Sequence, residues 1–209
     1  IDIDVSKQDA NPRLTLDYLY GNARGQMFGV LECTDQDGKP VLLKAFSCQY
    51  NSIWDVDGWV PPLLGTGKYW ALVTPVYGEI KALGTRIDAL PEGQEKRELK
   101  SRRKSISQKL MKDIHSLYSV RNFRSDVKTL FDFFLNGIPT GGGDCCAPKL
   151  LNAAILHNLT PVSLAEFFLG RTNRSGTRKE GVFYSPCTEK CGPILGFMLC
   201  GLAEKQAND

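Results

Sequence analysis

Three consecutive glycines, Gly141, Gly142 and Gly143, run into Asp144-Cys145-Cys146-Ala147-Pro148-Lys149-Leu150-Leu151, and this junction constrains the chain more than any other stretch. Glycines break regular structure, Asp144 is a good N-cap, and Pro148 is tolerated only in a first helical turn. A helix is therefore expected from Cys145 to about Leu159, with Leu150, Leu151, Ala154, Ile155 and Leu159 on its buried face. A second stretch, Ser185-Pro186-Cys187-Thr188-Glu189-Lys190-Cys191-Gly192-Pro193, repeats the plan. Loop residues come first, then thiols, then the apolar run Ile194, Leu195, Phe197, Met198 and Leu199. A second helix is expected to begin at Pro186-Cys187. Thiols at two helix starts point to a metal site or a nucleophile, against the plainer reading of buried structural thiols. The glycines also let an anion approach the backbone N–H groups, but no Gly-Lys-Ser/Thr ending makes them a P-loop.

The rest of the chain supplies a framework for these junctions. Residues 27–33 read as a strand and residues 41–47 as its return, with the strong hairpin signal Asp37-Gly38 between them. Residues 162–169 read as a strongly apolar strand with Glu166 between Ala165 and Phe167, and residues 182–184 as a short one. Leu99, Ile106, Leu110, Ile114 and Leu117 recur at helical spacing, so residues 92–118 are expected to be helical. Residues 127–135, with Leu130, Phe131, Phe133 and Phe134, read as a second helix or an apolar run. Residues 71–76 read as a short strand or extended lead-in, Pro75 placing it at an edge or an end. Residues 49–69 read as a loop pinned by Trp54 and Trp59, the alternative being a sugar or base platform. Leu14, Leu16, Tyr18 and Tyr20 alternate with polar residues as a short strand or a helix lead-in, and the tail from Ala203 reads as frayed.

With 209 residues, 42% of them hydrophobic and 23% charged, the chain can bury a sizeable core and lies outside the compositions of disordered proteins. One domain over residues 1–209 is expected, with a helical insert at 92–135. No run of about 20 apolar residues occurs, so no membrane span is expected. The opening Ile1-Asp2-Ile3-Asp4 has neither a basic nor an apolar signal region, and the expected compartment is the cytoplasm. Seven cysteines, an odd number without the spacing of a small disulfide framework, fit a thiol-rich intracellular protein or a metal site. A net charge of +3 is too mild to prove nucleic-acid binding, so the placement of the basic residues decides. Lys96, Arg97, Lys100, Arg102, Arg103, Lys104, Lys109 and Lys112 crowd one helix, and Arg171, Arg174, Arg178 and Lys179 a polar loop. A basic helix face is more often a solvated surface. The functional reading is RNA or another polyanion, because clustered cations gain affinity by releasing condensed counterions. No aromatic residue interrupts residues 92–114, so base stacking is not suggested there.

Cys187 and Cys191 are four apart, which on a helix puts both thiols on one face. A helix start favours the thiolate, and zinc takes tetrahedral thiolate and imidazole ligands. Cys145, Cys187 and Cys191 are the expected zinc ligands, with water, Cys146 or His157 in the fourth position. Asp144, Glu166 and Glu189 are the carboxylates available to a hydrolytic site. In a thiol enzyme Cys145 or Cys146 would need a histidine base. His157 lies 11 or 12 residues along the same helix, about 16 Å away, and His115 has nothing to tie it to the thiols. Cys33 and Cys48, at the open end of the hairpin, read as small buried hydrophobes.

Cys145-Cys146-Ala147-Pro148, a strand, and then Pro186-Cys187-x-x-x-Cys191 resemble the zinc signature of the cytidine-deaminase-like superfamily, in particular its bacterial-toxin branch. There a Cys-Ala-Glu-Pro helix supplies one ligand and a Pro-Cys-x-x-Cys helix two. The resemblance implies a three-layer α/β/α sheet built from an N-terminal hairpin followed by helix, strand and helix, over residues 27–47, 145–159, 162–169 and 187–199. Two departures stand out. Ala147 occupies the position of the acid/base glutamate that moves the proton in that family, and the second motif is one residue longer. A resemblance of wider span is to the N-terminal extension of some RluA-type pseudouridine synthases. It rests on Arg24-Gly25-Gln26-Met27-Phe28-Gly29-Val30-Leu31, Trp59-Val60-Pro61-Pro62, Gly143-Asp144-Cys145-Cys146-Ala147-Pro148-Lys149, Leu164-Ala165-Glu166-Phe167-Phe168-Leu169-Gly170 and Pro186-Cys187-x-x-Lys190-Cys191-x-Pro193. No Arg-Leu-Asp synthase motif follows. The resemblance implies a zinc-binding accessory domain working with RNA, alongside a synthase catalytic domain or partner. The competing expectations are a zinc-dependent hydrolase or deaminase of a base, nucleotide or amide, and a cysteine-nucleophile enzyme.

Overall fold

The computed structural model describes residues 11–206. The first ten residues and the last three lie outside it, and with them part of what was expected of the N-terminal segment and of the tail. The chain is of the α/β class, and its centre is a three-stranded antiparallel sheet. Strand β1 (Gln26–Thr34) runs in the middle, flanked by β2 (Pro40–Phe46) and, much later in the chain, β5 (Thr160–Leu169). The expected hairpin is present, with Leu31 opposite Leu43 on one side and Leu164 on the other. A small separate ribbon pairs β3 (Ser119–Arg121) with β4 (Val127–Thr129).

Side chains alternate across a strand, so each face of this sheet has its own core. On one face Leu31, Cys33 and Ala45 are buried beneath α4 (Cys146–Leu156). On the other, Phe28, Phe46 and Phe167 carry Trp59 and Tyr50. Among the described residues the helical contribution there is α1 (Asp17–Tyr20), one turn long, and the rest of the cover is largely aromatic. Trp59 lies 5.7 Å from the Phe28 ring and 5.6 Å from Phe46, and Trp54 is 7% exposed. Both tryptophans are packing anchors rather than an open platform.

Helix α4 seats directly on β1. An added Cβ at Gly29 would lie 2.6 Å from the Cys146 Cβ and 3.0 Å from Leu150 Cδ1. The missing side chain lets helix and strand approach. Cys146 is fully buried there, its thiol facing the Met27 carbonyl oxygen at 3.4 Å. Lys149, 1% exposed, ties the same helix to the end of β2: its Nζ donates to the carbonyl oxygens of Phe46 at 2.9 Å and Cys48 at 3.0 Å. It also sits over the rings of Phe46 and Trp54.

Several expectations are corrected. Residues 71–76 are not a strand but part of α2 (Thr66–Ala89), with Pro75 in its interior. Tyr69, Val73, Val76, Ile80, Leu83 and Ile87 follow the helical period and form the half-buried or buried side. That long stripe outweighs the one hydrogen bond lost at Pro75. Helix α3 (Gln94–His115) is as expected and folds back along α2, with Arg86 on Glu95 at 2.5 Å and Arg102 on Glu79 at 2.9 Å. Residues 127–135 are neither a helix nor a continuous run. They comprise β4 and a 3-10 turn at Leu130–Asp132, closed by Asp132 accepting from the Thr129 backbone N–H and hydroxyl. Residues 182–184 meet β5 only through a bridge of Phe183 to Phe167. The second cysteine helix, α5 (Gly192–Met198), begins after Cys191, because Gly192-Pro193 opens it, with Pro193 in the first turn. Part of the tail forms α6 (Leu202–Gln206), tied down by Lys205 on Asn158 and Gln206 on the Pro161 carbonyl oxygen.

Gly29→Ala is expected to destabilise the protein by about 1–3 kcal/mol, as overpacking of a dense core does. The decrease in urea midpoint at unchanged slope measures it. A wild-type midpoint would show that α4 does not depend on this close approach.

Candidate metal centre

Two chain segments meet at the start of α4. Cys145 is the residue that precedes the helix, and Cys187 and Cys191 come from the turn that leads into α5. The three sulfurs lie within 4.8 Å of one another, and Cys187 Sγ is 3.5 Å from Cys191 Sγ. Tetrahedral coordination with metal–sulfur bonds near 2.3 Å separates sulfurs by about 3.8 Å. The three thiols are close enough to share one metal ion. Cys187 and Cys191 converge through a tight turn, with the N–H groups of Cys191 and Gly192 both donating to the Cys187 carbonyl oxygen at 3.1 Å, and not along a helix face.

The electrostatics favour a thiolate at Cys145. The Cys191 thiol donates to Cys145, which holds Cys145 below the usual thiol range, and the Lys190 ammonium acts in the same direction. That same bond, together with burial, holds the proton on Cys191. Lys190 is fixed by donating to the Thr140 carbonyl oxygen at 2.7 Å, which joins the second cysteine turn to the glycine loop. Cys146 is not a fourth ligand. Its thiol points at β1, and burial pushes its pKa up. His157 is exposed at the far end of α4. Among the described residues no hydrogen bond joins either histidine to a cysteine. His115 packs edge-on to Phe131 at 6.4 Å instead.

The three candidate carboxylates occupy different environments. Asp144 does not cap α4. It is buried and accepts from the Tyr118 hydroxyl at 2.7 Å, and the N-cap residue Cys145 makes no side-chain capping hydrogen bond. Burial pushes the Asp144 carboxyl up, while the Tyr118 hydrogen bond and the Lys149 charge pull it back. Glu166 takes over the capping task from strand β5. Its Oε1 accepts the Ala147 backbone N–H at 3.0 Å, and it is 6% exposed. Burial raises its pKa against that hydrogen bond and the charge of Arg178. Glu189 is exposed in the cysteine turn.

The basic candidates divide. Lys100 and Arg102 are turned onto acids, Glu92 at 3.8 Å and Glu79 at 2.9 Å, so the α2–α3 hairpin neutralises much of its own charge. Arg103 lies across Gly84 of α2, and Lys104 lines a groove on the other side of α3. In the loop after β5, Arg178 stacks on the Tyr184 ring at 4.3 Å, while Arg171, Arg174 and Lys179 are exposed with no acid within ion-pair distance among the described residues. Lys149, Lys190 and Tyr118 had no role assigned from the sequence. The only available signal was that both lysines stand inside the cysteine motifs.

Titration with Co2+ is expected to give a thiolate-to-metal charge-transfer band at one ion per chain. The band is lost in Cys145→Ser, Cys187→Ser and Cys191→Ser and kept in Cys146→Ser. Binding has to expel the proton held on Cys191, so Co2+ affinity should fall as pH falls from 8 to 6, by up to about tenfold per unit for each proton displaced. A band that survives all three single substitutions would rule out the shared site.

No family model, no curated protein and no solved structure matches this chain.

Proposed function

We propose that this is a zinc-binding domain of deaminase-like arrangement that serves RNA modification as an accessory element, contacting RNA without transforming it. The observation that carries the reading is the convergence of three thiols from two distant segments at the N-terminus of α4. Zinc suits a trithiolate, and the centre ties the start of α4 to the turn before α5. Ala147 places a methyl group where the resembling deaminases carry their acid/base glutamate, which favours a structural over a catalytic centre. Arg171, Arg174 and Lys179, with no acid in ion-pair distance among the described residues, offer phosphate contacts, and the α3 cations add to the positive field. The RluA-like motifs point to a pseudouridine synthase catalytic domain as the partner.

Purified protein is expected to carry one zinc per chain by elemental analysis and to melt at a lower temperature after chelation. Metal-free protein with an unchanged melting curve would sink the zinc reading. Single-stranded RNA binding through three phosphates should weaken roughly 20-fold between 50 and 200 mM salt. In anisotropy titrations the triple variant Arg171→Ala/Arg174→Ala/Lys179→Ala should flatten the logarithmic salt slope by about 2. An unchanged slope would remove this loop from the interface.

Glu166 favours a second reading, a zinc-dependent hydrolase or deaminase of a base, nucleotide or amide. It is a buried carboxylate at the helix start that bears Cys145, and burial favours its proton-holding form. A bound zinc would supply Lewis acidity, and Glu166 would hold and move the proton. Glu166→Gln keeps an acceptor for the Ala147 N–H, so fold and zinc content should persist. On the hydrolase reading it lowers ammonia release from a nucleoside and amide panel by about 10²–10⁴-fold. Absence of ammonia release by the zinc-loaded wild type would end this reading and leave the first intact.

A further inference from the structure

Away from the thiols, a groove of about 720 Å³ runs between the last turns of α3 and residues 131–138. Three large apolar side chains along it stay open to solvent: Met111 at 45% exposure, Phe131 at 38% and Leu135 at 90%. Lys104 and Lys112 stand on its rim, and neither has an acid within 4.0 Å among the described residues. Lys109, on the same helix but outside the groove, is already paired with Asp113 at 2.8 Å. Among the described residues, the lysines of α3 without an acid partner are therefore the two that line the apolar cleft.

We propose that this groove docks an acidic amphipathic helix of a partner protein. Lys104 and Lys112 are eight residues apart on α3, about 12 Å along its axis, so they match carboxylates two turns apart on a docked helix. Apolar anchors at i, i+4 and i+7 of that helix fill the cleft between them, as in other helix-in-groove recognition. Met111 and Leu135 are flexible aliphatic surfaces that mould to such anchors. A stacked base needs planar faces. Of the three exposed side chains Phe131 alone is aromatic, and it is engaged edge-on with His115. The inference is independent of the zinc reading, since none of these residues belongs to the thiol centre.

The probe is a fluorescein-labelled helical peptide with leucines at i, i+4 and i+7 and flanking glutamates. Its counterpart carries lysines in place of the glutamates. Saturable binding of the acidic peptide is expected, at least about tenfold tighter than the basic one, a difference of 1.4 kcal/mol. Leu135→Asp and the pair Lys104→Glu/Lys112→Glu should each weaken it by about tenfold or more, with circular dichroism unchanged. Leu135 is so exposed that its substitution leaves the fold intact, which keeps the test decisive. Equal binding of the two peptides, no saturable binding, or wild-type affinity in both variants overturns the proposal. So does single-stranded RNA that displaces the peptide and is itself sensitive to the charge reversal but not to Leu135→Asp, because the groove is then a nucleic-acid site.

Discussion

The contact between α4 and β1 underlies the rest of the arrangement. Gly29 lacks the side chain that would hold the helix off the strand, and Cys146 and Leu150 occupy the space so freed. Two polar ties fix the helix once it is seated. Lys149 reaches the carbonyl oxygens at the end of β2, and Glu166 of β5 receives the Ala147 N–H. All three strands of the sheet therefore hold the first turns of one helix. Cys145, immediately before that helix, inherits a defined position, and the turn bearing Cys187 and Cys191 meets it there.

Polar groups buried this deeply are stable only when they are satisfied, and here they satisfy each other. Asp144 accepts from Tyr118, and Lys149 is shared by two carbonyl oxygens. The oppositely charged Asp144 and Lys149 also moderate each other's desolvation. The charged residues of the α2–α3 hairpin behave differently. Several of them, such as Arg86 with Glu95 and Arg102 with Glu79, are exposed and pair among themselves, which contributes little to stability but leaves less free charge on that surface than the composition suggests.

Much of the architecture was legible in the sequence, and the parts that were not have identifiable physical causes. The β1–β2 hairpin, β5 and α3 follow from local periodicity and turn chemistry, which act over a few residues. Helix α2 was hidden because Pro75 dominates a short window, whereas the apolar stripe that overrides it runs from Tyr69 to Ile87. Residues 127–135 carry apolar side chains with no period of their own, and their shape is set by Val120, Leu130 and the ribbon they pack into. The capping of α4 could not be assigned locally. Asp144 has the right chemistry and position for an N-cap, but Tyr118, 26 residues earlier, claims its carboxylate. The cap comes instead from Glu166, 19 residues later than the N–H that it accepts.

By itself, the sequence determined where thiols are presented, at two junctions between loops and helices. The glycine run, the prolines and the spacing of Cys187 and Cys191 act within a few residues and make two junctions that present cysteines. Tertiary structure decided everything that depends on distance across the fold: that Cys145 meets Cys187 and Cys191 while Cys146 turns into the core, that Glu166 serves the start of α4, and that Lys104 and Lys112 flank an apolar groove built partly from residues 131–138. The reason is the same in each case. Local chemistry biases the backbone, whereas the partner of a side chain is chosen by packing against segments that the sequence places 19 to 119 residues away.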